Sequence, residues 1–133
     1  MGQEKAGRVH PEVIKAMGAF GGGMARSGRV CGILTGALAM VASLYGTADP
    51  LECEDPKLRP LGSKLVHRFE EMTAPYGGVE CVRIVEFDLN DQEKLRWFRT
   101  APDSTRRRCE HLICDMAVYL GELLEENRPW PAG

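Results

Sequence analysis

The sequence predicts an all-α protein: a compact single-domain bundle of about four to five helices, spanning residues 1–133, with a glycine-rich loop ahead of a buried central helix. Three observations lead there. Apolar side chains recur every three to four residues through most of the chain, the spacing that gathers them on one face of a helix. The stretches between them carry glycine and proline clusters, Gly21-Gly-Gly23, Pro50 to Pro60 and Pro75-Tyr-Gly-Gly78, which end helices by backbone freedom or by a missing amide donor. The length of 133 residues, 44% hydrophobic and 27% charged, suits one globular domain with a core of its own.

The elements follow in order. His10 to Phe20 places Pro11 at a first helical position and Val13, Ile14, Met17 and Phe20 at helical spacing, so a short helix ends at the glycines. Gly21 to Gly28 reads as a loop. A second helix is expected from about Gly28 to Tyr45, closed by Gly46. Thr47 to Pro60, acidic and proline-rich, is an exposed connection. Leu61, Leu65, Phe69 and Met72 mark a third helix over Leu61 to Thr73. In Cys81 to Leu89 the alternation of Cys81, Arg83, Val85 and Phe87 suits a strand, whereas Val82, Val85 and Leu89 suit a helix. Periodicity leaves both open there. Asp91 to Arg99 forms a short polar helix. A longer last one follows the capping residues of Asp103 to Arg106 and runs to about Asn127, with Cys109, Leu112, Ile113, Met116, Leu120, Leu123 and Leu124 as its apolar line. The tail 128–133, with two prolines, is expected to be loose.

Charge excludes two classes of partner. A net charge of -2 gives no field to attract a phosphate backbone or anionic lipid, so no nucleic-acid partner is expected. The uncharged run Val30 to Gly46 is shorter than a membrane span and lacks an orienting basic flank, so it reads as a buried helix rather than part of an integral membrane protein. The N-terminal residues carry no apolar secretory core, and the expectation is a cytoplasmic protein.

Chemistry concentrates on the five cysteines, Cys31, Cys53, Cys81, Cys109 and Cys114. None is in a Cys-x-x-Cys pair, which argues against a zinc ribbon, a thioredoxin-type dithiol or a bacterial ferredoxin run. Cys31 falls in the first turn of the expected second helix, where unsatisfied amides favour thiolate over thiol, and Arg26 and Arg29 add cationic charge. The same argument applies to Cys109 behind Arg106-Arg-Arg108, although a run of arginines is also a common solvated face. Cys109 and Cys114, five apart, point about 140° from one another around a helix. On a helical wheel Gly28, Gly32, Gly36, Ala39 and Ser43 form a strip almost without side chains. Such a strip serves close helix packing, including a homodimer or other partner contact, or keeps a backbone bare for a cofactor; Gly32 and Gly36 are the candidate cofactor-binding positions.

The segment "FGGGMARSGRVCGILTGALAMVASLYG" resembles the signature of the C_GCAxxG_C_C family of small redox-active proteins, in which a Phe-Gly-Gly-Gly loop precedes a Cys-Gly-Ala-x-x-Gly helix start. Here the motif reads Cys31-Gly-Ile-Leu-Thr-Gly36, with Ile33 in place of alanine. The resemblance continues through "FEEMTAPYGGVECVRIVEFDL" and "RRRCEHLICDMAVYLGELLEE", where Cys81 and Cys109 fall at the family's later cysteines, and it covers about residues 19–125. The family's pattern opens with a further cysteine upstream of the glycine loop; this chain has none before Cys31. The resemblance implies a redox-active site of Cys31, Cys81 and Cys109 that either cycles to a disulfide, with no cofactor, or binds an iron-sulfur cluster or zinc. Thiolates serve as nucleophile in the first case and soft ligand in the second. A four-thiolate metal site would add Cys114 or Cys53. The expected activity is that of an oxidoreductase or electron-transfer protein serving a redox partner protein. The chain is also similar to part of the split-Soret cytochromes, yet it has no Cys-x-x-Cys-His motif, so covalent haem is not implied. The alternative is a non-catalytic helical module with buried structural cysteines.

Overall fold

The computed structural model describes residues 2–128. Among them are seven α-helices and no strand: α1 Gly2–Lys5, α2 Pro11–Met17, α3 Gly32–Tyr45, α4 Leu58–Thr73, α5 Cys81–Val85, α6 Gln92–Thr100 and α7 Arg106–Glu126. Two of these, α1 and α5, are single turns that the sequence did not announce as helices. The all-α expectation holds.

The core is built on α3, which lies against both α4 and α7. Each of the three buries one apolar face: Leu34, Ala37, Val41 and Tyr45 from α3, Leu61, Leu65 and Phe69 from α4, and Leu112, Met116, Leu123 and Leu124 from α7. Every fully buried large side chain of this set contributes about 2 kcal/mol by leaving water. Tyr45 closes the far end of the bundle by donating its hydroxyl to the Asn127 carbonyl. A second, smaller cluster of Cys81, Val85, Phe87, Leu89 and Leu95 lies beside the first. There Phe87 meets Trp97 edge-on with ring centres 6.5 Å apart. Helix α5 straddles the two, since Ile84 belongs to the main cluster and Cys81 and Val85 to the smaller.

Several element boundaries differ from the sequence expectation for physical reasons. The central helix starts at Gly32, not at Gly28, because the chain ahead of it is left-handed. Gly22, Gly23, Met24, Ala25 and Arg26 all have φ between 50° and 68°, and Gly28 has φ 72°. A right-handed helix cannot propagate through such a run. Backbone bonds hold it instead, from the Ala25 N–H to the Ala19 carbonyl at 2.7 Å and from the Arg29 N–H to the Gly23 carbonyl at 3.1 Å. Helix α4 starts three residues earlier than expected because Pro60 sits in its first turn, where no intrahelical amide is needed. The ambiguous 81–89 segment is helical only over Cys81–Val85; Glu86, at φ 64°, stops it. Asp91 caps α6, its carboxylate accepting from the N–H groups of Glu93 and Lys94. Of the tail expected to be loose, Arg128 pairs with Glu125, and residues 129–133 lie outside the described residues.

At Gly36 the strip of small residues is not packed against another helix of this chain. Gly28 is outside α3, and a side chain at Gly36 would meet nothing within 4 Å. Gly36 opens instead onto an apolar groove of about 560 Å³ between α2, α3 and α7, lined among others by Ile14, Met17, Met40, Ile113 and Leu120. Among the described residues no helix is long and apolar enough to cross a membrane.

Candidate functional site

Two backbone segments meet at the mouth of α3. Val30 and Glu80 form an antiparallel bridge. On either side of it the Cys31 N–H donates to the Val79 carbonyl at 3.0 Å and the Cys81 N–H to the Arg29 carbonyl at 2.7 Å. Successive side chains of extended chain point to opposite faces. Cys31 and Cys81, each one residue past the bridged pair, therefore share the face opposite Val30 and Glu80. The glycines explain how the chain comes so close. A Cβ on Gly23 would stand 2.4 Å from the Arg29 carbonyl oxygen and 2.8 Å from the Cys81 Cβ, and one on Gly32 would stand 2.9 Å from the Phe20 carbonyl oxygen. Only a bare backbone passes there.

Cys31 is the N-cap of α3 rather than a residue of its first turn. It is buried at 5% exposure, as is Cys81 at 8%. Hydrogen bonding by the Cys81 thiol is the largest influence holding the Cys31 pKa down at about 7. Burial opposes it, and the Ile33 N–H, which forms no cap bond to the neutral side chain, helps to hold the thiolate. Cys81 is pushed well above the ordinary thiol range, first by donating to Cys31, then by burial and by the negative charges of Cys31 and Cys109. Cys109, in the first turn of α7, touches both hydrophobic clusters. Burial and then the Cys31 charge push it up to about 11.

Two sequence expectations about the site need correction. Arg26 and Arg29 are exposed and are not what lowers the Cys31 pKa; a neutral thiol does it. Cys109 is not activated by its arginines, because burial outweighs the pull of Arg108. Cys114 is exposed on α7, as is Cys53 in the α3–α4 loop, whereas Cys31 and Cys81 are buried. Of the candidate cofactor positions, Gly32 and Gly36 both line the apolar groove, with the Phe20 carbonyl close over the Cβ side of Gly32. Among the described residues no three Cys, His, Asp or Glu side chains are arranged to hold a metal ion.

Residues 1–123 match the profile of the family described as "Putative redox-active protein (C_GCAxxG_C_C)". The chain belongs to this family. The match takes in the N-terminal segment that the resemblance, beginning near residue 19, left out. No curated protein and no solved structure compared with the chain gives a match. Within the C_GCAxxG_C_C pattern of four cysteines, this member brings the Cys31 and Cys81 segments together by backbone pairing, with Cys109 packed against the clusters that hold each, and it has no cysteine before Cys31. Sequence reasoning missed the groups that hold this arrangement, namely the Val79 and Arg29 carbonyls, the side chain of Thr105 just ahead of α7, and that of Arg108 within it. The Gly77-Gly78 pair, both at positive φ, was the available signal that the chain turns back on itself just before Cys81.

Proposed function

We propose that this C_GCAxxG_C_C protein is a thiol/disulfide oxidoreductase in which Cys31 and Cys81 are the exchanging pair. The single observation that carries this reading is the backbone pairing around Val30 and Glu80, which puts the buried Cys31 and Cys81 side chains on one face; beside Cys81 the Cys31 pKa is held down at about 7. Near neutral pH a large share of Cys31 is then thiolate, the nucleophilic form. Its sulfur attacks one sulfur of a disulfide on a redox partner protein, forming a mixed disulfide and releasing a partner thiolate. Once Cys31 is bonded, its negative charge is gone and Cys81 loses the acceptor that held its proton. Cys81 gives that proton to the departing thiolate and attacks the Cys31 sulfur. The Cys31–Cys81 disulfide forms, the second partner sulfur leaves as a thiolate, and two electrons have passed to the partner. Cys109 stays protonated beside the pair, which keeps a second negative charge away from it.

The test is peptide mapping of the reduced protein after exposure to glutathione disulfide, with remaining thiols alkylated. The expected product is a Cys31–Cys81 link that persists in Cys53→Ser and Cys114→Ser variants and vanishes in Cys31→Ser. Protein whose Cys31 and Cys81 both stay fully alkylatable would overturn the reading and favour the helical module with structural cysteines.

A further inference from the structure

Helix α5 has five residues, far too few to persist through its own hydrogen bonds. Its position, and with it that of Cys81 at its first residue, is set by what grips its ends. The N-terminal end is held by the pairing with Arg29 and by the Val82 N–H donating to the Gly28 carbonyl at 3.1 Å. The C-terminal end has carbonyls that a helix leaves without partners, and α7 supplies them. The Thr105 hydroxyl donates to the Val85 carbonyl at 2.8 Å, and Arg108 Nη1 donates to the Ile84 carbonyl at 3.1 Å. The same guanidinium pairs with Glu86 Oε1 at 2.9 Å and lies 5.1 Å from the centre of the Tyr76 ring. A cation at a helix C-terminus is also favoured by the helix dipole. Arg108 Nη1 bonds both oxygens while the flat guanidinium lies by the Tyr76 ring; a lysine ammonium keeps the charge but not the stacked planar contact.

We propose that Arg108 is a positioning residue for the thiol pair, fixing the C-terminal end of α5 and through it the Cys81 sulfur against Cys31. The inference rests on the Cys31–Cys81 reading above. Disulfide formation depends on the effective concentration of one sulfur at the other, and small displacements lower it steeply. The test is a titration of the full chain in mixtures of glutathione and its disulfide. In it two protein thiols and one glutathione disulfide yield the Cys31–Cys81 disulfide and two glutathiones, the two electrons passing to the glutathione disulfide. Arg108→Ala is expected to lower the equilibrium constant about tenfold, and Arg108→Lys less, because it retains charge opposite Glu86. Arg106→Ala, which removes the exposed pair with Glu110, leaves it unchanged.

A merely structural clamp would lower Tm without moving this equilibrium. Arg108→Ala that is folded and within about twofold of the unsubstituted chain would overturn the positioning role. Should it fail to fold, Arg108→Lys decides by the same criterion. A natural chain that forms no Cys31–Cys81 disulfide sinks the thiol-pair reading and this inference together. A natural chain that forms it, with Arg108 variants that match it, sinks the inference alone.

Discussion

A buried thiol ordinarily resists ionisation, because a charge is poorly solvated away from water. Cys31 departs from that rule through one neighbour. With Cys81→Ala the donor disappears and burial is left opposed only by the Ile33 N–H. Because burial outweighs that N–H, the midpoint of Cys31 alkylation is expected to rise from about 7 to above the ordinary thiol value of 9.0. Cys81→Ser, which keeps an O–H donor, should fall between. Iodoacetamide rates against pH, with Cys53 and Cys114 changed to serine, measure it, and a midpoint indifferent to Cys81→Ala would contradict the assignment. At this scale the sequence was half legible. The position of Cys31 after a glycine loop and at a helix start could be read from its neighbours. The group that activates it could not, because Cys81 is distant in the chain and comes near only through backbone pairing. Arg26 and Arg29 were misleading for a related reason: proximity in sequence says nothing about which way a side chain faces.

The left-handed run of Gly22 to Arg26 is the element that brings those thiols together, and it stores strain. Met24, Ala25 and Arg26 sit at φ 63°, 50° and 63°, each at a cost of about 1–2 kcal/mol for a residue with a Cβ. Ala25→Gly relieves one of these and gains flexibility in the unfolded chain, so urea unfolding should show a net stabilisation of about 0.5–1 kcal/mol. Gly23→Ala works in the opposite direction. Its Cβ would meet the Arg29 backbone and the Cys81 Cβ, neither of which can swing aside. A loss of about 2 kcal/mol or more is expected, together with a weaker Cys31–Cys81 disulfide, since the Arg29 carbonyl is what holds the Cys81 amide. A neutral Gly23→Ala would mean that the loop does not pack as described. Helices α4, α6 and α7 were legible because nine or more residues let a 3.6-residue period declare itself. Helix α5 was not, as five residues fit either period. The left-handed turn was hidden because Met, Ala and Arg are residue types that normally avoid it.

Across the whole molecule, two apolar clusters meet at Cys109, which packs against both. The fold class and the role of α3 as a central helix were readable from composition and apolar spacing, but this junction was not, because no local pattern reports which clusters a side chain will separate. The junction has a consequence for stability at alkaline pH. Cys109 ionises at about 11 in the folded chain against an ordinary 9.0, so the folded state keeps a proton that the unfolded state gives up. Its contribution is therefore fully present below pH 9 and is lost as pH climbs through 11. Cys31 runs the other way: its depressed value adds stability above pH 9 that is lost as pH falls through about 7. Comparing the natural chain with Cys109→Ala isolates the first effect, because Cys31 and the surface groups titrate in both. After allowance for the partial exposure of Cys109, the natural chain should lose on the order of 1 kcal/mol more than the variant between pH 9 and pH 11. Urea midpoints at intervals across that window measure the difference. Curves that stay parallel would show that the Cys109 sulfur reaches solvent when it ionises, and that the two clusters do not close around it.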